Sequence, residues 1–242
     1  MQADDLTGWY GKLPSLGDFA SRRLPPAFVE PWDDWLASGL AAWREQAPDG
    51  WLAGYLASPS WRFVLMPGVL GGAASAASAA WTGVLMPSVD RVGRYFPLTL
   101  ARTLPALPSD AAQANELLTW LQQLDDVALD ALHDDWSVER LDAELARVGA
   151  WTAPAPAAEG GAALPTAWAT SGRVEIEAAQ GVAALLAASA RDALLQGLYG
   201  KALWLSDDAE GRPLLRLTAG LPVAAEFPAL VSRTADSLLR IP

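Results

Sequence analysis

The chain has 242 residues, 52% of them apolar and 9% aromatic, so it is long enough to bury a substantial core. It contains no cysteine and one histidine, His133, which excludes disulfide and thiolate chemistry and most zinc, haem and histidine-based catalytic sites. The net charge is −11, and much of it lies in residues 105–150, which hold two Lys or Arg and ten Asp or Glu. This acidity disfavours nucleic-acid binding by the segment. We interpret it as a solvated helix face rather than as a surface for a basic partner.

The beginning of the chain predicts a cytoplasmic protein. The residues MQADDLTGWYGKLP are acidic and lack the basic start and apolar run of a signal peptide. The small-residue run from Gly71 to Ala80 is too short to cross a bilayer. We therefore expect no direct membrane insertion.

The first part of the chain predicts four strands and two helices. LTGWYGKL (6–13) predicts a strand, and Pro25 and Pro26 open a helix that runs to Gln46, within which Pro31 could separate the first turn. GWLAGYLA predicts a second helix, and SWRFVLMPG and AWTGVLMPS predict neighbouring strands of one sheet because both contain VLMP. YFPLTLARTL predicts a further strand, in which Pro97 indicates an edge position or a bulge. The first helix has an apolar face: Phe28, Trp32, Trp35, Leu36, Leu40 and Trp43.

The second part of the chain predicts helices, a loop and a hairpin. A long helix begins after the caps Ser109 and Asp110, and SVERLDAELARVG predicts another, capped by Ser137 and ended by Gly149. Residues 151–167 are rich in Ala, Pro and Gly and predict a flexible linker or loop. A short strand (173–176), a helix (about 182–195), a hairpin of KALWLS with PLLRLT and a closing helix in AEFPALVSRTADSLL follow.

These elements predict an α/β fold. We expect a mixed, largely antiparallel sheet with helices packed on both faces, in three layers α/β/α. The expected organisation is a core domain over residues 1–150, the loop 151–167, and a C-terminal αβ segment over residues 168–242 that packs on the core. The patterns leave open whether this segment completes the main sheet or forms a small subdomain.

No catalytic or metal-binding pattern is present in the sequence. Ser88 lacks a nearby base and the glycine pattern of a nucleophile elbow, and GVLGG lacks the Lys and Ser or Thr of a phosphate-binding loop. The acidic residues between Asp125 and Asp135 lack the spacing of known carboxylate metal sites. We expect no catalytic residues, no metal and no cofactor.

Four ordered segments carry a resemblance to a known family. GWYGKLPSLGDFASRRLP, WDDWL, WLAGYLASPSWRFVLMPGVLG and WTGVLMPSVDRVGRYFPLTL resemble the signature blocks of the TagF family, also called ImpM, which is associated with bacterial type VI secretion. The resemblance implies a cytoplasmic, non-enzymatic regulator that acts after translation. Such a protein represses assembly or firing of the secretion apparatus by binding its forkhead-associated (FHA) scaffold protein.

The stretch VLMPSVDRVGRYFPL predicts a structural corner beside a contact surface. The predicted corner residues are Ser88, Asp90, Gly93 and Phe96. The predicted partner-binding residues are Lys12, Asp18, Phe19, Arg22, Arg91, Arg94 and Tyr95. The alternative hypothesis is an enzyme or small-ligand-binding protein that uses a cluster of Asp18, Asp90 and Arg94.

Overall fold

The computed structural model describes residues 6–70, 79–108, 110–152, 196–207 and 211–232. The described strands are β1 (Gly8–Gly11), β2 (Ala20–Arg22), β3 (Trp61–Leu65), β4 (Ala80–Met86), β5 (Leu98–Leu104), β6 (Lys201–Asp207) and β7 (Pro213–Ala219). The described helices are α1 (Pro26–Gln46), α2 (Trp51–Leu56), α3 (Ala111–His133), α4 (Val138–Val148) and α5 (Phe227–Val231), the last preceded by a 3-10 turn (Ala224–Glu226).

The strands form one sheet in the order β2-β1-β5-β4-β3-β6-β7, and each described neighbouring pair is antiparallel. The two VLMP strands are neighbours, as predicted, with Trp61 opposite Leu85. The β6–β7 hairpin continues the main sheet, because β6 pairs with β3. The predicted strand 173–176, the predicted helix 182–195 and nearly all of the predicted loop 151–167 lie outside the described residues.

Helices cover both faces of the sheet, so the predicted three-layer α/β/α class is confirmed. Successive strand residues point to opposite faces. Trp9 therefore packs into a core beneath α3 and α4, whereas the next residue, Tyr10, packs into a second core beneath α1, α2 and α5. The second core contains the apolar stripe of α1 predicted from the sequence, together with Phe63 and Trp204.

Local sequence signals explain where the helices begin. Pro26 occupies the first turn of α1, where its fixed φ suits the helix and its missing N–H costs no hydrogen bond. Pro31 lies inside α1 without dividing it, contrary to the separate first turn that the sequence suggested. Asp110 caps α3 by accepting a hydrogen bond from Gln113 N at 2.9 Å, and Ser137 caps α4.

Two expectations about the sheet were incomplete or wrong. β2, a three-residue strand that pairs with β1, was not predicted, because it has no alternating pattern of its own. Pro97 does not mark an edge, because β5 lies between β1 and β4. The proline directly precedes Leu98, the first strand residue, so its missing N–H interrupts no ladder hydrogen bond.

Within the described part of the chain, no helix is long and apolar enough to span a membrane.

Candidate functional site

The connection between β4 and β5, residues 87–97, forms a compact turn that we call the corner. Val89 and Tyr95 form an isolated antiparallel bridge, and inside it Asp90 N donates to Arg94 O at 3.1 Å. Gly93 N donates to Asp90 O at 3.0 Å, and the φ of Gly93 is +82°. Glycine adopts this conformation without the strain that a side chain adds, so its place at the tip follows from the turn geometry.

Ser88 ties the base of the corner to two other elements. Its Oγ donates to Lys12 O, just beyond β1, at 2.8 Å. The Tyr55 hydroxyl on α2 donates to Ser88 O at 2.9 Å and accepts from Ser88 N at 2.8 Å. Ser88 O also accepts from Phe96 N at 3.2 Å, which closes the base of the corner. Burial raises the pKa of Tyr55 far above its ordinary value, so its hydroxyl stays protonated and can donate.

Asp90 is the centre of the polar network in the corner. Its Oδ2 accepts from Lys12 Nζ at 2.6 Å and from Arg94 Nε at 2.7 Å. Its Oδ1 accepts from the backbone N–H of Val92 at 3.0 Å and of Arg94 at 2.9 Å. Burial raises the pKa of the Asp90 carboxyl, but the hydrogen bonds from Lys12, Arg94 and Val92 together lower it by more, so its pKa lies well below the ordinary value. The carboxylate is therefore ionised and fully engaged.

The loop after β1 and the corner form one unit. Arg91 N donates to Leu16 O at 2.9 Å, and the Arg94 guanidinium donates to Gly17 O. The Lys12 ammonium lies 4.1 Å from the centroid of the Phe19 ring. That ring meets Phe96 edge-on, with 4.8 Å between the ring centroids.

The structure brings together most of the predicted partner-binding residues, but not all of them. Asp18, Phe19, Arg91 and Arg94 are exposed around the corner, and Tyr95 is half-buried. Lys12 is only 2% exposed, so its ammonium belongs to the structural network rather than to a contact surface.

Arg22 lies on the other face of the sheet. It is opposite Trp9 in the β1–β2 pair, and residues directly opposite each other share a face. Its guanidinium lies 4.0 Å from the carboxylate of Asp142 on α4. Arg22 is therefore separated from the exposed residues at the corner.

The hypothetical enzyme cluster is also only partly assembled. Asp18 lies near Arg94, with 4.0 Å between Oδ1 and Nη2, and its side chain is 86% exposed. Asp90 is buried, and both of its oxygens already accept hydrogen bonds. A general base must reach its substrate with a free lone pair, and Asp90 does not offer one.

An open groove of about 810 Å³ lies between α1 and the corner. Its walls combine aromatic rings with charged side chains, among them Phe19, Arg94 and Tyr95 from the predicted set. Sequence reasoning missed Asp33, Arg44 and Trp51, which also line it. Asp33 and Arg44 lie on the helix α1, and only the folded chain places them beside the corner. Val92, exposed at the tip, was missed as well.

Comparison with known proteins places these features in a family. Residues 8–148 match the family model of the TagF N-terminal domain, described as type VI secretion system-associated. The chain belongs to the TagF family. This confirms the family and the type VI secretion association predicted from the four sequence blocks. The corner, the preceding loop and the groove all lie within the matched region.

A solved structure is similar to the chain along nearly its whole length. PA0076 from Pseudomonas aeruginosa PAO1, a crystal structure at 2.05 Å resolution, has 34% sequence identity to the chain and a TM-score of 0.71. The alignment covers 98% of each chain, so the likeness extends beyond the TagF N-terminal domain. The search of curated proteins gave no match. Among the described residues, no group of three or more His, Asp or Glu side chains is arranged to hold a metal ion.

Proposed function

We propose that the chain is a cytoplasmic, non-enzymatic repressor of type VI secretion that acts after translation by binding the FHA-domain scaffold protein. Its membership of a type VI secretion-associated family supports a role in that system. The observation that carries the binding mechanism is the corner, where a saturated polar network underlies four exposed side chains. These side chains, which we call the corner surface, are Phe19, Arg91, Val92 and Arg94.

The corner surface suits a docking role because its base is rigid. The buried contacts of Asp90 and Ser88 fix the backbone, so little of the conformational entropy of the turn remains to be lost on binding. Arginine and aromatic side chains are enriched at the energetic centres of protein interfaces. Phe19 is 45% exposed and Val92 is 65% exposed, which provides apolar area beside the two arginines.

The geometry around Asp90 favours binding over catalysis. In the enzyme hypothesis this carboxylate would have to act on a substrate, but it is buried and engaged by four hydrogen bonds. Its low pKa also makes it a weak base. These features suit a structural anchor.

The proposal is tested in cells with an active type VI system and a deletion of the gene for this chain. Expression of the wild-type chain should lower secretion through the apparatus and should co-purify the FHA scaffold. Arg91→Glu reverses the charge of an exposed side chain that makes no ion pair in the described structure, and should lose both effects. Arg147→Glu makes the same charge change on α4 and should retain both. Unchanged secretion with the wild-type chain would contradict the proposed repression.

A further inference from the structure

Two groups of aromatic rings line the groove beside the corner. Tyr10, Phe19 and Phe96 contact one another, with Phe19 and Phe96 closest at 4.8 Å between centroids. Tyr95, next to Phe96 in the chain, contacts Trp51 edge-on at 6.3 Å. Aromatic rings at the wall of an open groove provide large contact areas at low cost in side-chain entropy. The groove volume, about 810 Å³, is large enough for several side chains of a bound segment.

Two arginines line this groove, and one of them, Arg94, also contacts the Asp90 carboxylate. Arg44 and Arg94 line it from α1 and from the corner, and both are exposed. The Arg44 guanidinium stacks on Trp51, 4.3 Å from the ring centroid, and makes no ion pair in the described part of the chain. Stacking holds an arginine in place while its N–H donors remain free for a carboxylate. With Asp33, the groove lining holds two positive charges and one negative charge, whereas the whole chain carries a net charge of −11.

The acidic residue of the groove is already partly engaged. Asp33 Oδ1 accepts a hydrogen bond from the Tyr10 hydroxyl. Burial, followed by this contact, raises the pKa of Tyr10 well above its ordinary value, which keeps the phenol protonated as the donor. The second oxygen of Asp33 remains available as an acceptor for a backbone N–H. One acceptor and two arginines thus face the same space.

We propose that the groove binds an extended acidic peptide segment of a partner protein. An aromatic or large aliphatic side chain of that segment packs between Phe19 and Tyr95. Flanking Asp or Glu side chains pair with Arg44 and Arg94, and a backbone N–H donates to Asp33. Such a segment matches the groove in shape, apolarity and charge.

A peptide fits this surface better than a nucleic acid does. Aromatic rings with arginines also bind single-stranded nucleic acids, but such proteins surround the site with positive charge that follows the phosphates. Here two arginines and one aspartate are the charged residues of the groove lining, and the net charge of −11 repels a polyanion at longer range. A short acidic segment places its charge only where the two arginines lie.

The inference rests on the proposed function in one respect, namely that this face of the protein docks a protein partner. It adds the chemistry of the bound segment and extends the contact from Phe19 and Arg94 of the corner surface to Asp33 and Arg44 on α1. It does not require the partner to be the FHA scaffold.

The test is selection of short random peptides displayed on phage against the full-length immobilised chain. Selected peptides are then synthesised with a fluorophore, and their dissociation constants are measured by fluorescence polarisation. The expected consensus is an aromatic or large aliphatic residue flanked by Asp or Glu, with affinity that falls as salt increases. Arg44→Glu should weaken binding at least about tenfold, since it replaces attraction by repulsion.

Two further variants control this test. Ala37→Trp fills the groove from an exposed position on α1 and should also abolish binding without reaching the core. Arg147→Glu, with the same charge change as Arg44→Glu but on α4, should bind like the wild type. The proposal is overturned if no peptide is enriched, if the consensus is neutral or basic, or if both groove variants bind normally. It is also overturned if labelled oligo-dT binds the wild-type chain, Ala37→Trp abolishes that binding, and no peptide binds.

The outcome is separable from that of the proposed function. If the peptides bind in the groove but the FHA scaffold does not bind the chain, the groove assignment stands and the proposed partner is wrong. If the scaffold binds the wild type and the groove variants alike while no acidic peptide is enriched, the proposed function stands and the groove assignment is wrong.

Discussion

The Nζ of Lys12 lies 2.6 Å from Oδ2 of Asp90, and neither side chain is more than 3% exposed. This buried ion pair joins the end of β1 to the corner between β4 and β5. Breaking such a pair by removing one partner leaves an uncompensated charge in a medium that solvates it poorly. The pair therefore determines how firmly the proposed docking face is held.

Lys12→Met should lower the melting temperature by on the order of 10 °C, because it leaves the Asp90 carboxylate with Arg94 as its one cationic partner among the described residues. The double variant Lys12→Met/Asp90→Asn should lose less stability than the sum of the two single variants, since it removes both charges. Thermal unfolding followed by circular dichroism measures all three. Additive losses would show that the two side chains are not energetically coupled.

Two glycines should differ sharply in their tolerance of alanine. Gly11 has a φ of +128°, and a Cβ added there would lie 2.0 Å from Pro97 O, so Gly11→Ala should cost at least about 3 kcal/mol of unfolding free energy. Gly93 has a φ of +82° with no atom within 4 Å of an added Cβ, so Gly93→Ala should cost about 1 kcal/mol. Urea unfolding gives both values. The reverse ranking would contradict this geometry.

Asp125 on α3 should make the stability of the fold depend on pH. Burial raises its pKa, and hydrogen bonding from Ser60 and the charge of Arg62 only partly oppose the shift. The folded state then favours the protonated carboxyl, so its stabilising contribution is complete below the ordinary pKa of 3.8 and is lost as the pH rises through the higher folded pKa. The stability of Asp125→Asn relative to the wild type should therefore increase with pH.

Urea unfolding between about pH 4 and about pH 8 tests this prediction, because that range begins near the ordinary carboxyl pKa. Asp130→Asn, at an exposed position on the same helix, is the matched control for the change of charge. A stability difference between Asp125→Asn and the wild type that is constant over this range would show that Asp125 titrates alike in the folded and unfolded chains.

The sequence predicted those features whose signals are local. The stripe of α1 from Phe28 to Trp43 repeats at helical spacing and is buried as expected. The cap of α3 at Asp110 and the β6–β7 hairpin likewise follow from neighbouring residues. The repeated VLMP segment predicted that β3 and β4 are neighbouring strands, and the structure shows that they pair antiparallel.

Features that depend on distant contacts could not be predicted in the same way. From the sequence alone, Lys12 is expected at the surface. Its buried partner Asp90 lies 78 residues later in the chain, and only the fold places the two side chains in contact. Arg22 is close to Phe19 in sequence, yet the alternation along β2 turns it toward Asp142 on the other face. The groove forms because the fold places Arg44 of α1 beside the corner. No pattern within the sequence of α1 indicates this position.

The proposed binding of the chain to the FHA scaffold is tested most directly with the two purified proteins. Isothermal titration calorimetry should detect a complex with the wild-type chain, a dissociation constant at least about tenfold weaker for Arg91→Glu, and an unchanged constant for Arg147→Glu. This result would assign the binding to the corner surface. Absence of binding by the wild type, or equal affinity of all three proteins, would contradict the proposed docking of the scaffold at the corner.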